Sequence, residues 1–117
     1  MTEALFVALG AAVGAPLRYL TGHVLRQRFG APPPMDTLTV NVLGSFLLGL
    51  VAAAGVDGKG FALVGIGFCG AFTTFSTLAL ELWEAYADGR PRAALTNLAL
   101  TLVLGLGAAW LGWLLAS

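Results

Sequence analysis

Four hydroxyl side chains fall within five residues, at Thr73, Thr74, Ser76 and Thr77, interrupted only by Phe75 and set inside an apolar stretch. Gly65, Gly67 and Gly70 come just before them. Glycines alone would be explained by close helix packing, with hydroxyls bonded back to their own helix carbonyls. Four hydroxyls in so short a run read instead as a break in a membrane-spanning helix. An unpaired backbone group in hydrocarbon is costly, so irregular backbone persists at membrane depth only where protein or a water-filled path covers it. Such breaks make ion sites. The start of the second half presents free N–H groups and partial positive charge, and the carbonyls ending the first half can hold a cation. Asn41 is the next polar side chain to explain, in the apolar run TLTVNVLGSFLLGL. Alone it reads as interhelical glue worth about 1 kcal/mol. A hydroxyl cluster one span later makes it a candidate for the same site. Asn97 and Thr101, four residues apart, share one face of the last span.

The elements that must hold these groups are membrane helices. The chain has 117 residues, 58% hydrophobic and 10% charged, which suits one domain in a bilayer and not a soluble globule. Six basic and six acidic residues cancel and cluster between apolar runs, so no basic face exists for nucleic acid. Cys69 is the single cysteine, which excludes an internal disulfide and offers no metal spacing; it reads as a packed small residue. The start, MTEALFVALG, carries Glu3 where a signal peptide would be positive, so the first apolar run is expected to stay in the mature chain.

Four spans are expected, at about 4–24, 37–54, 61–86 and 93–116, each long enough to cross the hydrocarbon core. In the first, Gly10, Ala11, Ala12, Gly14 and Ala15 permit close helix contact, and Pro16 is a possible bend. Arg18 is expected to snorkel to the interface beside Tyr19 and His23. Arg26 to Asp36, with Pro32, Pro33 and Pro34, reads as a loop with a stiff turn. Glu81 and Glu84 are expected near the water interface, and Trp110 and Trp113 at the far one. Four spans enclose little by themselves, so oligomerisation is the expected route to a pore.

These segments resemble a known family. TLTVNVLGSFLLG (Thr37 to Gly49), GFCGAFTTFSTLALE (Gly67 to Glu81) and GAPLRY (Gly14 to Tyr19) are similar to the Fluc (CrcB) fluoride channels, over nearly the whole chain. The resemblance implies an all-α membrane protein of four transmembrane helices with the third broken, paired as an antiparallel, dual-topology dimer. It implies passive, fluoride-selective export across the cell (inner) membrane, with a structural sodium ion at the dimer centre. Carried over by motif, the Gly70 and Thr73 carbonyls would hold sodium. Asn41, Phe75, Ser76, Thr77, Asn97 and Thr101 would line the fluoride path. Two departures stand out. Leu78 occupies the second position of the family's aromatic box, with Phe72 one turn before Phe75 as a possible substitute, and Asn97 falls near the place of a common Tyr.

Elementary chemistry agrees with that function. Fluoride is small and strongly hydrated, so its waters must be replaced by donors, and neutral donors hold it without trapping it. Amide, hydroxyl and aromatic edge are such donors. The alternative is a small proton-coupled multidrug exporter of the same size, which needs a membrane carboxylate in its first helix; this chain has only Glu3 at the edge. No acid and base pair or nucleophile constellation supports an enzyme. A homodimer is expected, with a heterodimer of oppositely oriented relatives as the variant that a biased distribution of arginines would favour.

Overall fold

In the computed structural model, residues 2–32 and 34–117 are described; Met1 and Pro33, the middle of the expected stiff turn, lie outside them. The chain is helical almost throughout, and four stretches are long and apolar enough to cross a membrane: Thr2–Arg28, Met35–Ala53, Gly58–Ala87 and Pro91–Ala116. The molecule is 46 Å long, enough for a hydrocarbon core of about 30 Å and the headgroup layers beside it.

Helix α1 (Thr2–Arg28) runs without interruption through Pro16. It outlasts the expected span because Arg26 and Arg28 complement the negative end of the helix dipole in its last turn. The segment expected to begin a loop at Arg26 is therefore still helix, and the connection starts at Phe29. Gly30 reverses the chain with φ of 61°, and the Met35 N–H closes a turn on the Pro32 carbonyl at 2.8 Å. Helix α2 (Met35–Ala53) follows, with Asp36 in its first turn.

The third span is compound. A short α3 (Gly58–Phe61) passes into a π-helical stretch, Ala62–Cys69, and then one α-turn, α4 (Gly70–Phe72). Thr73, Thr74 and Phe75 leave the helix, and α5 (Ser76–Ala87) resumes it. The expected break is present, and it sits at the hydroxyl run. Of the glycines before it, Gly67 serves packing against α1. A side chain on Gly10 of α1 would collide with the Leu63 carbonyl, and one on Gly67 would lie 2.5 Å from the Val7 carbonyl. Only glycine lets the two backbones approach so closely.

Helix α6 (Pro91–Ala116) starts with proline in its first turn, where the missing N–H costs nothing, and packs along α2. Large apolar side chains such as Leu102, Val103, Leu106 and Leu115 remain exposed on it, as a lipid-facing helix requires. The buried core is thin: Leu38, Val40 and Val51 of α2, with Ala62, Cys69, Phe72 and Leu78 of the broken span. Cys69 is buried, as expected of a packed small residue.

Candidate functional site at the helix break

The break is built from backbone groups that have lost their helical partners. In a regular helix the Thr74 N–H would serve the Gly70 carbonyl and the Thr77 N–H the Thr73 carbonyl. Here the Thr74 N–H donates to Asn41 Oδ1 at 2.8 Å, and the Thr77 N–H donates to Thr74 Oγ1 at 3.2 Å. Asn41 Nδ2 returns a bond to the Thr74 carbonyl at 3.1 Å. One side chain on α2 thus satisfies both backbone polar groups of Thr74, the residue at the centre of the break. Thr74 does the capping work at the start of α5, a role its hydroxyl can fill and an apolar residue cannot.

The hydroxyl cluster is centred on Thr74. Its Oγ1 donates to Thr77 Oγ1 at 3.2 Å and lies 3.4 Å from Ser76 Oγ. Thr73 turns the other way and donates to the Cys69 carbonyl at 2.9 Å.

Two grooves meet at this point, and Thr74 lines both. The larger, about 670 Å³, holds Asn41, Gly70, Thr73, Phe75 and Thr101 among its walls, with Leu78 beside them. The smaller, about 260 Å³, is walled by Arg18, Arg26, Asp36, Thr37 and Thr77. Of the eight residues that the family resemblance gives to the path or to sodium, five therefore share the larger groove and Thr77 faces the smaller one. Ser76 reaches the site through the Thr74 hydroxyl. Asn97 is buried behind Thr101, whose hydroxyl donates to Asn97 Oδ1 at 3.4 Å.

The aromatic residues separate sharply. Phe75 is 81% exposed, an apolar ring at membrane depth with no cover from its own chain. Phe72 does not stand in for a second box ring: it is buried and stacked on Phe68, centroids 5.6 Å apart, on the core side of the break. One turn of helix followed by non-helical backbone sends the two phenylalanines to different faces.

One expectation about charge is corrected and another is sharpened. Arg18 does not reach for the interface; it is half-buried, and its Nη1 donates to the Thr73 carbonyl at 3.2 Å. The break supplies an acceptor closer than water, and an apolar helix gave no sign of it. Glu81, expected near the water interface, is half-buried against α2. Its Oε2 accepts the Thr37 hydroxyl at 2.8 Å, and its Oε1 is buried with no hydrogen-bond partner among the described residues. Asn97 neighbours that carboxylate without completing a bond to Oε1. Glu84, by contrast, is exposed. Sequence reasoning passed over Thr37, whose position one turn before Asn41 on α2 was the available signal.

The site is thus a set of mostly neutral donors around a broken helix, with one arginine bonded to the broken backbone. The family model for "CrcB-like protein, Camphor Resistance (CrcB)" matches residues 5–113. The chain belongs to the CrcB family. Among curated relatives, the "Fluoride-specific ion channel FluC" of Shewanella loihica is 45% identical over 116 residues, covering 96% of this chain and 94% of that protein. "Fluoride-specific ion channel FluC 2" of Haloarcula marismortui is 47% identical over 115 residues, covering 94% and 92%. "Fluoride-specific ion channel FluC 2" of Rhodococcus jostii is 42% identical, with 97% of each chain covered. All three CrcB-type relatives are named as channels and not as enzymes.

Proposed function

We propose that the chain is a fluoride-selective channel that lets fluoride leave the cell passively across the cell (inner) membrane. The observation that carries the reading is the break itself: Asn41, Thr74 and Thr77 place neutral amide and hydroxyl donors where two grooves meet at membrane depth. Asn41 uses one Nδ2 hydrogen on the Thr74 carbonyl, and an amide has a second to offer an anion. Neutral donors replace hydration without binding so tightly that the ion stays. Phe75 presents its ring beside them, and the positive edge of the ring suits an anion.

The reading extends to a pair of chains. Exposed Phe75 and Ile66, 55% exposed, flank the larger groove, which a second, antiparallel copy would cover to complete two paths. A structural sodium ion at the centre of that pair suits the donors present. The Gly70 and Thr73 carbonyls have both lost their helical N–H partners, and backbone oxygens are hard ligands for a hard cation. Arg18 takes one lone pair of the Thr73 oxygen and leaves the other. Sodium there would add positive potential near both paths.

The exporter reading has one foothold, the intramembrane carboxylate of Glu81, but it lies in the third span and is bonded to Thr37. Fluoride efflux from liposomes containing the purified protein, with and without an imposed proton gradient, separates the two. Equal efflux in both conditions supports the channel; cation uptake that requires the gradient supports the exporter.

A further inference from the structure

The smaller groove carries an ion pair at its rim. Arg26 Nη1 meets Asp36 Oδ2 at 2.5 Å, joining the last turns of α1 to the first turn of α2 across the connection between them. The carboxylate is held at both oxygens, since Oδ1 accepts the Thr37 N–H at 2.9 Å. The two side chains keep 39% and 19% of their surface exposed, so their charges face the water of the groove. Arg18, on the same wall, makes no ion pair among the described residues and rests on a neutral carbonyl. Asp36 cancels Arg26, and Arg18 is left as the groove's net charge.

We propose that Asp36 is a conductance-setting residue: by neutralising Arg26 it keeps the anion concentration in this mouth below the level that two free arginines would draw. This rests on the reading of the groove as part of the fluoride path. A cleft lined by one sign of charge concentrates counter-ions and raises their rate of arrival. Too much fixed charge also holds an ion that must leave and draws in every other anion. The ion pair sets the balance between these effects. The Glu81 carboxyl, bonded to Thr37, lies within electrostatic reach of Asp36, so all variants are compared at one pH.

The test compares the parent protein with Asp36→Asn, Arg26→Gln and the double variant, reconstituted in vesicles of neutral lipid, by initial fluoride flux. One unit charge roughly 10 Å from the ion in water changes the local concentration about twofold at low salt. Flux in about 10 mM salt is expected to rise about twofold in Asp36→Asn, to fall by a similar factor in Arg26→Gln, and to return to the parent value in the double variant. The differences are expected to vanish near 1 M salt, where the Debye length is about 3 Å. A clamp that acts only by holding α1 to α2 predicts otherwise: both single variants lose flux at every salt concentration, and the double variant does not recover. That result overturns the proposal. Arg26→Lys keeps the charge and loses the planar fork, so parent-like flux is expected even if Asp36→Asn does not fold. A fall matching that of Arg26→Gln overturns the proposal through this second route. A parent protein that passes no fluoride overturns the fluoride reading and this inference together, whereas a conducting parent with both single variants reduced overturns the inference alone.

Discussion

The Asn41 side chain and the Thr74 backbone exchange two hydrogen bonds, Thr74 N–H to Oδ1 at 2.8 Å and Nδ2 to the Thr74 carbonyl at 3.1 Å. The amide plays the part of a neighbouring peptide group, as in a two-residue ladder, and so makes a helix break affordable inside hydrocarbon. Placement and chemistry are therefore joined in one residue. Asn41 shapes the site and leaves a donor hydrogen for it.

Asn41→Ala is expected to leave both Thr74 groups unpaired and to destabilise the protein by roughly 2–6 kcal/mol, from about 1–3 kcal/mol for each of the two buried groups. Asn41→Asp keeps the acceptor for the Thr74 N–H but opposes the Thr74 carbonyl with an oxygen and adds a charge that repels anions. Its flux is expected to fall at least about tenfold, with a stability loss near one unsatisfied group. Thermal unfolding in detergent checks the first effect and vesicle flux the second. An Asn41→Ala protein as stable as the parent would show that the two bonds do not hold the break.

The two phenylalanines should respond in opposite ways. Phe72→Ala removes a buried ring stacked on Phe68 and is expected to cost about 3 kcal/mol. Phe75→Ala removes a ring that is 81% exposed on its own chain, so folding of the single chain should change by less than about 0.5 kcal/mol. Flux should nevertheless fall. Equal stability losses in the two variants, measured by unfolding, contradict the assignment of Phe72 to the core and Phe75 to the path.

Glycine substitutions offer a similar contrast. A Cβ on Gly70 meets nothing within 4 Å, so Gly70→Ala should fold and keep the break. Its effect is expected on the pair and on sodium: loss of any stabilisation by sodium over potassium, read as dimer dissociation with increasing dilution. Gly10→Ala would collide with the Leu63 carbonyl and is expected to cost about 1–3 kcal/mol without touching the site. A Gly70→Ala protein that keeps full sodium-dependent stability contradicts a close approach of Gly70 to the partner at the centre of the pair.

Much of this was legible in the residues and some was not, for physical reasons. Hydroxyls after glycines in an apolar run announce a break, and apolar runs of about 20 residues announce spans. What Arg18 and Glu81 do was hidden. Both lie near the ends of their apolar runs, where a charge usually finds water, and only the fold brings Thr73 to one and Thr37 to the other. The face taken by Phe72 was hidden too. Helical periodicity puts it one turn from Phe75, and the loss of helix at Thr73 cancels that periodicity. Arg26 and Arg28 illustrate the opposite error: proline after a helix marks where it must stop, but the dipole let α1 run on to Arg28.

Orientation is open to a direct check. The connections after α1 and α5 carry or adjoin Arg26, Arg28, Arg90 and Arg92, whereas the opposite side has Lys59, so a single chain should favour the arginine side in the cytoplasm. An antiparallel homodimer needs both orientations. Cysteine introduced as Arg28→Cys and as Lys59→Cys, labelled from outside intact cells, should react in both variants. Labelling of Lys59→Cys alone contradicts the homodimer and favours pairing with an oppositely oriented relative.

The central claim is that neutral donors at the Asn41–Thr74 break pass fluoride and little else. Its most direct test is the parallel efflux of fluoride and chloride from vesicles that contain this chain as their only protein, at about one pair per vesicle. The account predicts rapid fluoride release, unchanged by a proton gradient, while chloride stays inside. Fluoride release no faster than from protein-free vesicles, or chloride release at the same rate as fluoride, contradicts it.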